Sequence, residues 1–300
     1  VTKPRLGLSG FQELTSENID IIKCYLKKYR YDTCDYNATN FFAWSHFMNV
    51  KWGMYRDRIL FYNFNTQFML YQLGEKFSPE EMFNVSTMIE NEGCRGNFIS
   101  VPEHYIENNP GINDHFEPVY DRCNSDYVYL SKKLTELSGR KLRKKKNLIS
   151  QFMRLHGDYK VEVFESKYID MCLELSHKWC KDHNDVCDDE KILELNVLER
   201  AARNYELTGL EGLLIFCDGK LIAFALFSEL NEETVTVHFE KFDYAYKGSA
   251  QLINRETAIY LKDRYKYINR EQDVCLEGLR KSKLSYDPEI IMPTYRLIRK

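Results

Sequence analysis

The same order of elements occurs twice along this chain, and no other feature limits its fold as strongly. In the second half, Ile169, Cys172, Leu173, Leu175 and Trp179 recur at helical spacing, as do Leu193, Val197 and Ala201, with Gly209 ending that second helix. Gly212–Phe216 and Leu221–Ser228 read as strands around an Asp218-Gly219 turn, a strong hairpin signal. A strand over Thr234–Phe242, a helix over Gly248–Arg264 and a short strand over Tyr267–Asn269 follow. The first half repeats the order: helices over Ile19–Tyr29 and Phe41–Met48, a hairpin from Gly53–Tyr55 and Ile59–Tyr62, and a strand over Phe68–Leu73. Ser78-Pro79-Glu80-Glu81 is a capping box that opens a helix to about Glu92, and Asn97–Val101 is the closing strand. Two α/β lobes of the α+β kind are expected, with helices on mixed, mostly antiparallel sheets. The junction falls near Asp121–Asp126, giving lobes over 1–125 and 126–300.

The 300 residues are 44% apolar and 29% charged, enough to build two cores. A net charge of −3 excludes a protein that coats nucleic acid over its whole surface, so any basic site is local. Nine cysteines without a CxxC pair or a zinc-like Cys/His spacing read as reduced thiols, which fits a cytoplasmic location. His183 lies in the acidic stretch Asp182–Glu190, which reads as a solvated loop, and no metal site is expected. No window reaches the length of a membrane span, so membrane contact is expected to be peripheral.

Three stretches can carry chemistry. Six of the seven positions from Arg140 to Lys146 are basic: Arg140, Lys141, Arg143, Lys144, Lys145 and Lys146. Such a block suits phosphates, whether of tRNA, a CoA pyrophosphate or an anionic membrane, and otherwise is a solvated helix face. The second stretch runs from His238 to Gln251. A strand ends there and a helix begins in the turn Lys247-Gly248-Ser249, whose free N–H groups suit a phosphate. Strict alternation places His238 and Glu240 on one face and Lys241 and Asp243 on the other. Glu240, at the strand end, is positioned to act as a general base. The third stretch is the polar run Asn269-Arg270-Glu271-Gln272-Asp273 with Gly278 to Pro288 behind it, which supplies Arg280, Lys283 and Tyr286.

Together these stretches resemble the C-terminal-domain family of phosphatidylglycerol lysyltransferase, which includes stand-alone soluble bacterial members. The resemblance rests on Tyr127-Val128-Tyr129, Leu137-Ser138-Gly139, Lys144 to Asn147, Glu240-Lys241, Lys247-Gly248-Ser249, and above all Asn269–Asp273 with Gly278–Pro288. Asp35-Tyr36 and Phe42-Ala43-Trp44 extend it towards the N-terminus. It implies tandem lobes like the GCN5-related N-acetyltransferases, as in the Fem peptidyltransferases. It also implies transfer of an aminoacyl group from a charged tRNA, in the best-known members to a lipid headgroup. Cys275 stands where the family usually has glycine, and Arg143 and Lys146 stand where it often has His and Arg.

The expected activity is therefore acyl or aminoacyl transfer, from acyl-CoA or aminoacyl-tRNA as co-substrate, to an amine or hydroxyl. No tightly bound cofactor is expected. The candidate catalytic residues are Glu240, Lys283 and Asp243. Lys145, Asn147, Lys247, Gly248, Ser249, Arg280, Asn269, Glu271 and Asp273 are the candidates for holding the donor. The rival expectation is a non-catalytic module that binds RNA or anionic membrane on the same fold.

Overall fold

The computed structural model describes residues 7–184 and 189–300. In chain order the elements are β1 (Gln12–Glu13), α1 (Ile19–Lys28), α2 (Ala38–Ser45), β2 (Val50–Tyr55), β3 (Arg58–Asn63), β4 (Phe68–Leu70), α3 (Pro79–Glu90), β5 (Asn97–Pro102), α4 (Glu103–Asn108) and β6 (Phe116–Tyr120). Then come β7 (Asp126–Leu130), α5 (Ser131–Glu136), α6 (Arg143–His156), β8 (Lys160–Val163), α7 (Ile169–Asn184), α8 (Asp189–Arg203) and α9 (Tyr205–Thr208). Last are β9 (Glu211–Cys217), β10 (Lys220–Asn231), β11 (Thr234–Phe242), α10 (Ser249–Leu261), β12 (Tyr267–Asn269), α11 (Glu277–Leu284), β13 (Ile290–Met292) and β14 (Thr294–Arg299).

The chain divides into two compact units, one of residues 1–125 with 292–300 and the other of residues 126–291. Each has one mixed sheet. The first runs β1-β2-β3-β4-β5-β14-β6 and the second β13-β7-β12-β11-β10-β9-β8. Each sheet holds a parallel pair whose strands are joined through a helix, β4 to β5 through α3 and β11 to β12 through α10. The pairs β1–β2, β2–β3, β3–β4, β5–β14, β6–β14, β7–β12, β8–β9, β9–β10 and β10–β11 are antiparallel. The repeated order in the sequence is thus a repeated topology. The segment from Thr294 to Arg299, expected in the second lobe, pairs instead with β5 and β6 and lies in the first sheet.

Local signals explain several boundaries. The Ser78 hydroxyl accepts the Glu81 N–H at 3.2 Å while the Glu81 carboxylate accepts the Ser78 N–H at 3.1 Å, with Pro79 as the first helical residue. Asp218 and Gly219 have φ of 50° and 75°, the left-handed pair that a two-residue hairpin between β9 and β10 requires. Asp182–Glu190 is not one loop. Residues up to Asn184 complete α7, Asp189 opens α8, and residues 185–188 between them lie outside the described residues.

In the second unit, Ile222 to Phe227 of β10 are all fully buried, so this strand is covered on both faces. Leu252, Ile253, Ala258 and Leu261 of α10, with Ile149 and Phe152 of α6, share a core with Ala223, Ala225 and Phe227. Helix α7 packs against β10 and β11 as well. The expectation of nine reduced thiols needs correction. Cys123, Cys180 and Cys275 are in disulfides, while Cys24, Cys34, Cys94, Cys172 and Cys217 are free. The thiol argument for a reducing compartment therefore fails for those three.

Gly248 shows how closely α6 and α10 approach. It caps α10 with φ +99°, and a Cβ there would lie 2.4 Å from the Leu148 carbonyl oxygen and 3.0 Å from Phe152 Cβ. The room that this glycine leaves is taken by α6. Gly248→Ala should destabilise the protein by more than about 1 kcal/mol, because left-handed strain and a backbone clash add. Thermal denaturation checks this, and an unchanged midpoint would contradict it.

Candidate active site

Strands β11 and β12 pair only over Thr234–Thr236 with Tyr267–Asn269. Strand β11 runs on to Phe242, but the chain after β12 stays with β7, since Arg270 N–H donates to Tyr127 O and Tyr127 N–H donates to Glu271 O. The parallel pair therefore opens into a fork beyond Thr236. Arg270 spans it: Nη2 lies 2.9 Å from Glu240 Oε1, and both side chains are largely shielded from solvent. The Arg270 guanidinium lies 5.0 Å from the Tyr286 ring centre and 6.0 Å from that of Tyr129. Lys145, in the first turn of α6, places Nζ 4.1 Å from the Tyr286 ring. Cations over electron-rich ring faces are stabilised electrostatically.

The second half of β11 faces where it does because of a bulge. Leu226 pairs with Phe239 but Phe227 pairs with Val237, so His238 is an extra residue on β11. The alternation expected from the sequence, with His238 and Glu240 on one face, is broken there. Glu240 lies opposite Ala225, on the face shared with the α10 core. Lys241 lies opposite Phe224 and points to α7 and α8, with Nζ 3.8 Å from the Trp179 ring centre and 2.8 Å from Glu194 Oε1. His238 is buried, with Nε2 2.8 Å from Ser228 Oγ and Nδ1 2.9 Å from Glu271 Oε1.

Electrostatics make the fork a place for negative charge. Burial lowers the Lys145 pKa, neighbouring Arg270 and Lys144 lower it further, and Glu240 opposes them. Burial also works against the charge of Arg270, but Glu240 and the phenols of Tyr129 and Tyr286 outweigh it and leave its pKa raised. Burial pushes the Tyr286 phenol up, so it stays neutral. Arg270 is paired with Glu240, and Lys145 feels the same carboxylate through space. Nearby, Asn254 Oδ1 and Thr257 Oγ1 on α10 are buried without a protein partner, while Asn254 Nδ2 reaches Glu240 Oε2 at 3.4 Å.

The other expected residues are placed as follows. Lys283 is buried and donates to the carbonyls of Arg270, at 2.7 Å, and of Gln272, so it shapes the loop that carries Arg270. Asp273 accepts from Arg280 Nε at 2.7 Å, Arg280 Nη2 at 2.8 Å and Tyr127 Oη at 2.6 Å, a lock between β7, this loop and α11. Asn269 donates to Asp126 Oδ2 at 2.6 Å and accepts the Glu271 N–H at 2.8 Å. Asp243 is turned away from Glu240: one oxygen lies 2.6 Å from Lys178 Nζ and the other accepts the Ala245 N–H at 2.9 Å. Ser249 is buried, its N–H donating to Tyr246 O and its hydroxyl to Asp243 O. Lys247, Asn147, Arg140, Lys141, Arg143, Lys144 and Lys146 are exposed.

Arg270, Tyr286 and Tyr129 lie within the sequence motifs, but the motifs alone assign them no role, and nothing in the sequence points to the Ser228–His238 contact. Arg270 does carry a signal, being the single cation in the polar run after a short strand. Of the described free thiols, Cys172 is pushed up to about 12 by burial and Cys217 is raised by burial and Asp218, so neither is an activated nucleophile.

The Asp273 lock also makes a pH prediction. Burial alone would raise the Asp273 pKa, but the hydrogen bonds from Arg280, Tyr127 and the Cys275 N–H, with the Arg280 charge, hold it down at about 2 against 3.8. A depressed carboxylate adds stability above its unfolded pKa and loses it as pH falls through the folded value. Wild type should therefore lose stability between about pH 4 and pH 2. Asp273→Asn should be less stable at neutral pH, and the gap should close on acidification. A gap in denaturant midpoint that stays constant from pH 5 to about pH 2 would contradict this.

The fold defines a chain of the acyl-CoA N-acyltransferase-like class, with two such units in tandem. More narrowly, it belongs to the family of phosphatidylglycerol lysyltransferase C-terminal domains, which it matches over residues 27–298. It is similar to the crystal structure of a conserved protein of unknown function from Bacteroides thetaiotaomicron, with 29% identity, 97% of this chain and 99% of that one covered, and a TM-score of 0.89. L-PGS from Bacillus licheniformis shares the fold at 12% identity, with 94% and 91% covered and a TM-score of 0.67. An uncharacterised protein of Mycoplasmoides gallisepticum is 22% identical over 284 residues, 87% of this chain and 90% of that one. The chain is thus homologous to acyl and aminoacyl transferases.

Proposed function

We propose that the chain is an aminoacyltransferase that takes an aminoacyl group from a charged tRNA and passes it to an amine or hydroxyl of an amphiphilic acceptor such as a lipid headgroup. The observation that carries the donor is the first turn of α6. Arg143, Lys144, Lys145 and Lys146 occupy it, with no acidic residue among them. A helix N-terminus favours anions, so this turn is self-repelling until a polyanion lies against it. A CoA thioester has less support, because the turn before α10 uses both Ser249 donors internally and packs Gly248 against α6.

The acceptor reading rests on Val274, Leu276 and Leu279, which are 53%, 50% and 37% exposed in the loop and helix that also carry Arg280. Apolar side chains beside cations suit an amphiphilic anion. No helix among the described residues is long and apolar enough to cross a membrane, so this contact would be peripheral. In the reaction, the acceptor's oxygen or nitrogen bonds to the ester carbonyl carbon, and the carbonyl oxygen becomes an oxyanion beside Arg270 and Lys145. The bond to the tRNA ribose oxygen then breaks. Glu240 takes the acceptor proton and returns it to that oxygen. A tRNA donor also implies a cytoplasmic site of action.

One observation favours the rival reading of a binding module. Glu240 is already held by Arg270 through Oε1, so that oxygen is occupied until the pair opens. The aminoacyltransferase reading requires the basic turn to bind tRNA. The logarithm of affinity should fall with that of salt, and each lost phosphate contact should lower the slope by roughly 0.7 to 0.9. Lys144→Ala/Lys146→Ala should therefore flatten the slope by roughly 1.4 to 1.8 if both side chains touch phosphate. Equal slopes in wild type and variant would make the block a solvated face.

A further inference from the structure

The outer edge of the second sheet is strand β8, Lys160-Val161-Glu162-Val163. It pairs with β9 in regular antiparallel register, Val161 opposite Ile215 and Val163 opposite Leu213. Phe164 N–H donates to Gly212 O, so the backbone groups of even-numbered residues face β9 and those of Val161 and Val163 face outward. The side chains of these valines lie on the face of Leu213 and Ile215, which belong to the core under α6 and α10. Yet Val161 and Val163 are 37% and 46% exposed. The apolar face of the sheet is therefore cut open at its edge, beside backbone donors and acceptors that have no partner strand among the described residues. Soluble proteins guard such edges with short strands, charged side chains, proline or bulges; β8 is short and has no proline or bulge, and its charges, Lys160 and Glu162, decide what it can pair with.

From this edge we infer that the partner is a second copy of the chain, added antiparallel through β8 so that one sheet runs through both protomers. The charges select the copy and the register. A two-fold axis at Val161 sets Val161 opposite Val161 of the second copy, with the outward backbone groups forming the ladder. It also sets Tyr159 opposite Val163, and Lys160 opposite Glu162, twice over. Moving the axis one residue forward sets Glu162 against Glu162, and one residue back sets Lys160 against Lys160 and Asp158 against Glu162. Opposite charges across strands stabilise and like charges destabilise, so among axes placed on the residues of β8 the one at Val161 pairs opposite charges. Within each protomer Lys160 already pairs with Glu162 on the same face, so both side chains lie where the second copy meets them.

The test is sedimentation equilibrium of the full chain, with circular dichroism to show that each variant is folded. Wild type should be dimeric. Lys160→Glu and Glu162→Lys each set two like-charge pairs across the axis and should each weaken association roughly tenfold or more. Mixing the two variants should restore association, because both charges on one variant's strand are then negative and both on the other's are positive, so every cross-axis pair is of opposite sign. Repair of the pair within a protomer cannot explain that rescue, since each variant carries like charges on its own strand. A monomeric wild type, a dimer indifferent to both single changes, or a mixture that stays monomeric would each overturn the inference.

Discussion

Replacing Arg270 by alanine should destabilise the second unit by about 3–5 kcal/mol, because it leaves Glu240 shielded from water without its partner. At about 2–4 °C per kcal/mol for a domain of this size, the transition should fall by roughly 10 °C. The double variant Arg270→Ala/Glu240→Ala should recover part of that loss, since it removes the orphaned carboxylate along with its partner. Turnover should fall by about a hundred- to a thousandfold if Arg270 stabilises the oxyanion. Arg270→Lys separates the two effects. It keeps a charge near Glu240 but loses the planar fork that lies over Tyr286 and Tyr129, so stability should return further than activity. Equal stability of wild type and Arg270→Ala would remove Arg270 from the centre of the site.

Glu240→Gln should separate catalysis from binding. Glutamine keeps the size and can still accept a hydrogen bond from Arg270, but it cannot take a proton. A general base contributes about a hundred- to ten-thousandfold, so turnover should drop by that order while tRNA affinity stays within about twofold. If Glu240 only orients Arg270, the variant should keep most of its activity. The carboxylates of Glu271 and Asp273 could not then simply take over, because Glu271 is tied to His238 and Asp273 to Arg280 and Tyr127.

Much of the fold is legible because its signals are local. The capping box at Ser78, the Asp218-Gly219 turn and the apolar spacing of α10 each depend on neighbours in sequence, and each appears as read. Strand β14 is not legible in its place. It enters the first sheet between β5 and β6, and pairing across such a separation leaves no local trace. Helix α6 is hidden because its first turn is cationic and looks like a charge run rather than an amphipathic start.

The site divides in the same way. The three stretches that supply Lys145, Glu240 and Lys283 stand out in the sequence, and all three lie in the second unit. Their partners do not stand out. Alternation cannot count a bulge at His238, so it gives His238 and Glu240 one face where the structure separates them. Asp243 is a catalytic candidate in the sequence because it lies in the stretch that carries Glu240, but the turn that follows and Lys178 claim its two oxygens. Glycine at position 248 signals a close approach, and the approaching group is the backbone of α6.

The central claim is that the fork between β11 and β12 transfers an aminoacyl group from tRNA. The most direct measurement follows radiolabelled aminoacyl-tRNA incubated with the full chain and vesicles containing anionic phospholipid, separating label on tRNA, on lipid and free in solution. The account predicts loss of label from tRNA with matching gain in the lipid fraction, slowed by about a hundredfold or more in both Arg270→Ala and Glu240→Gln. Label that remains on tRNA across the set of aminoacyl-tRNAs, while the folded wild type still binds them, would contradict it and leave a binding module.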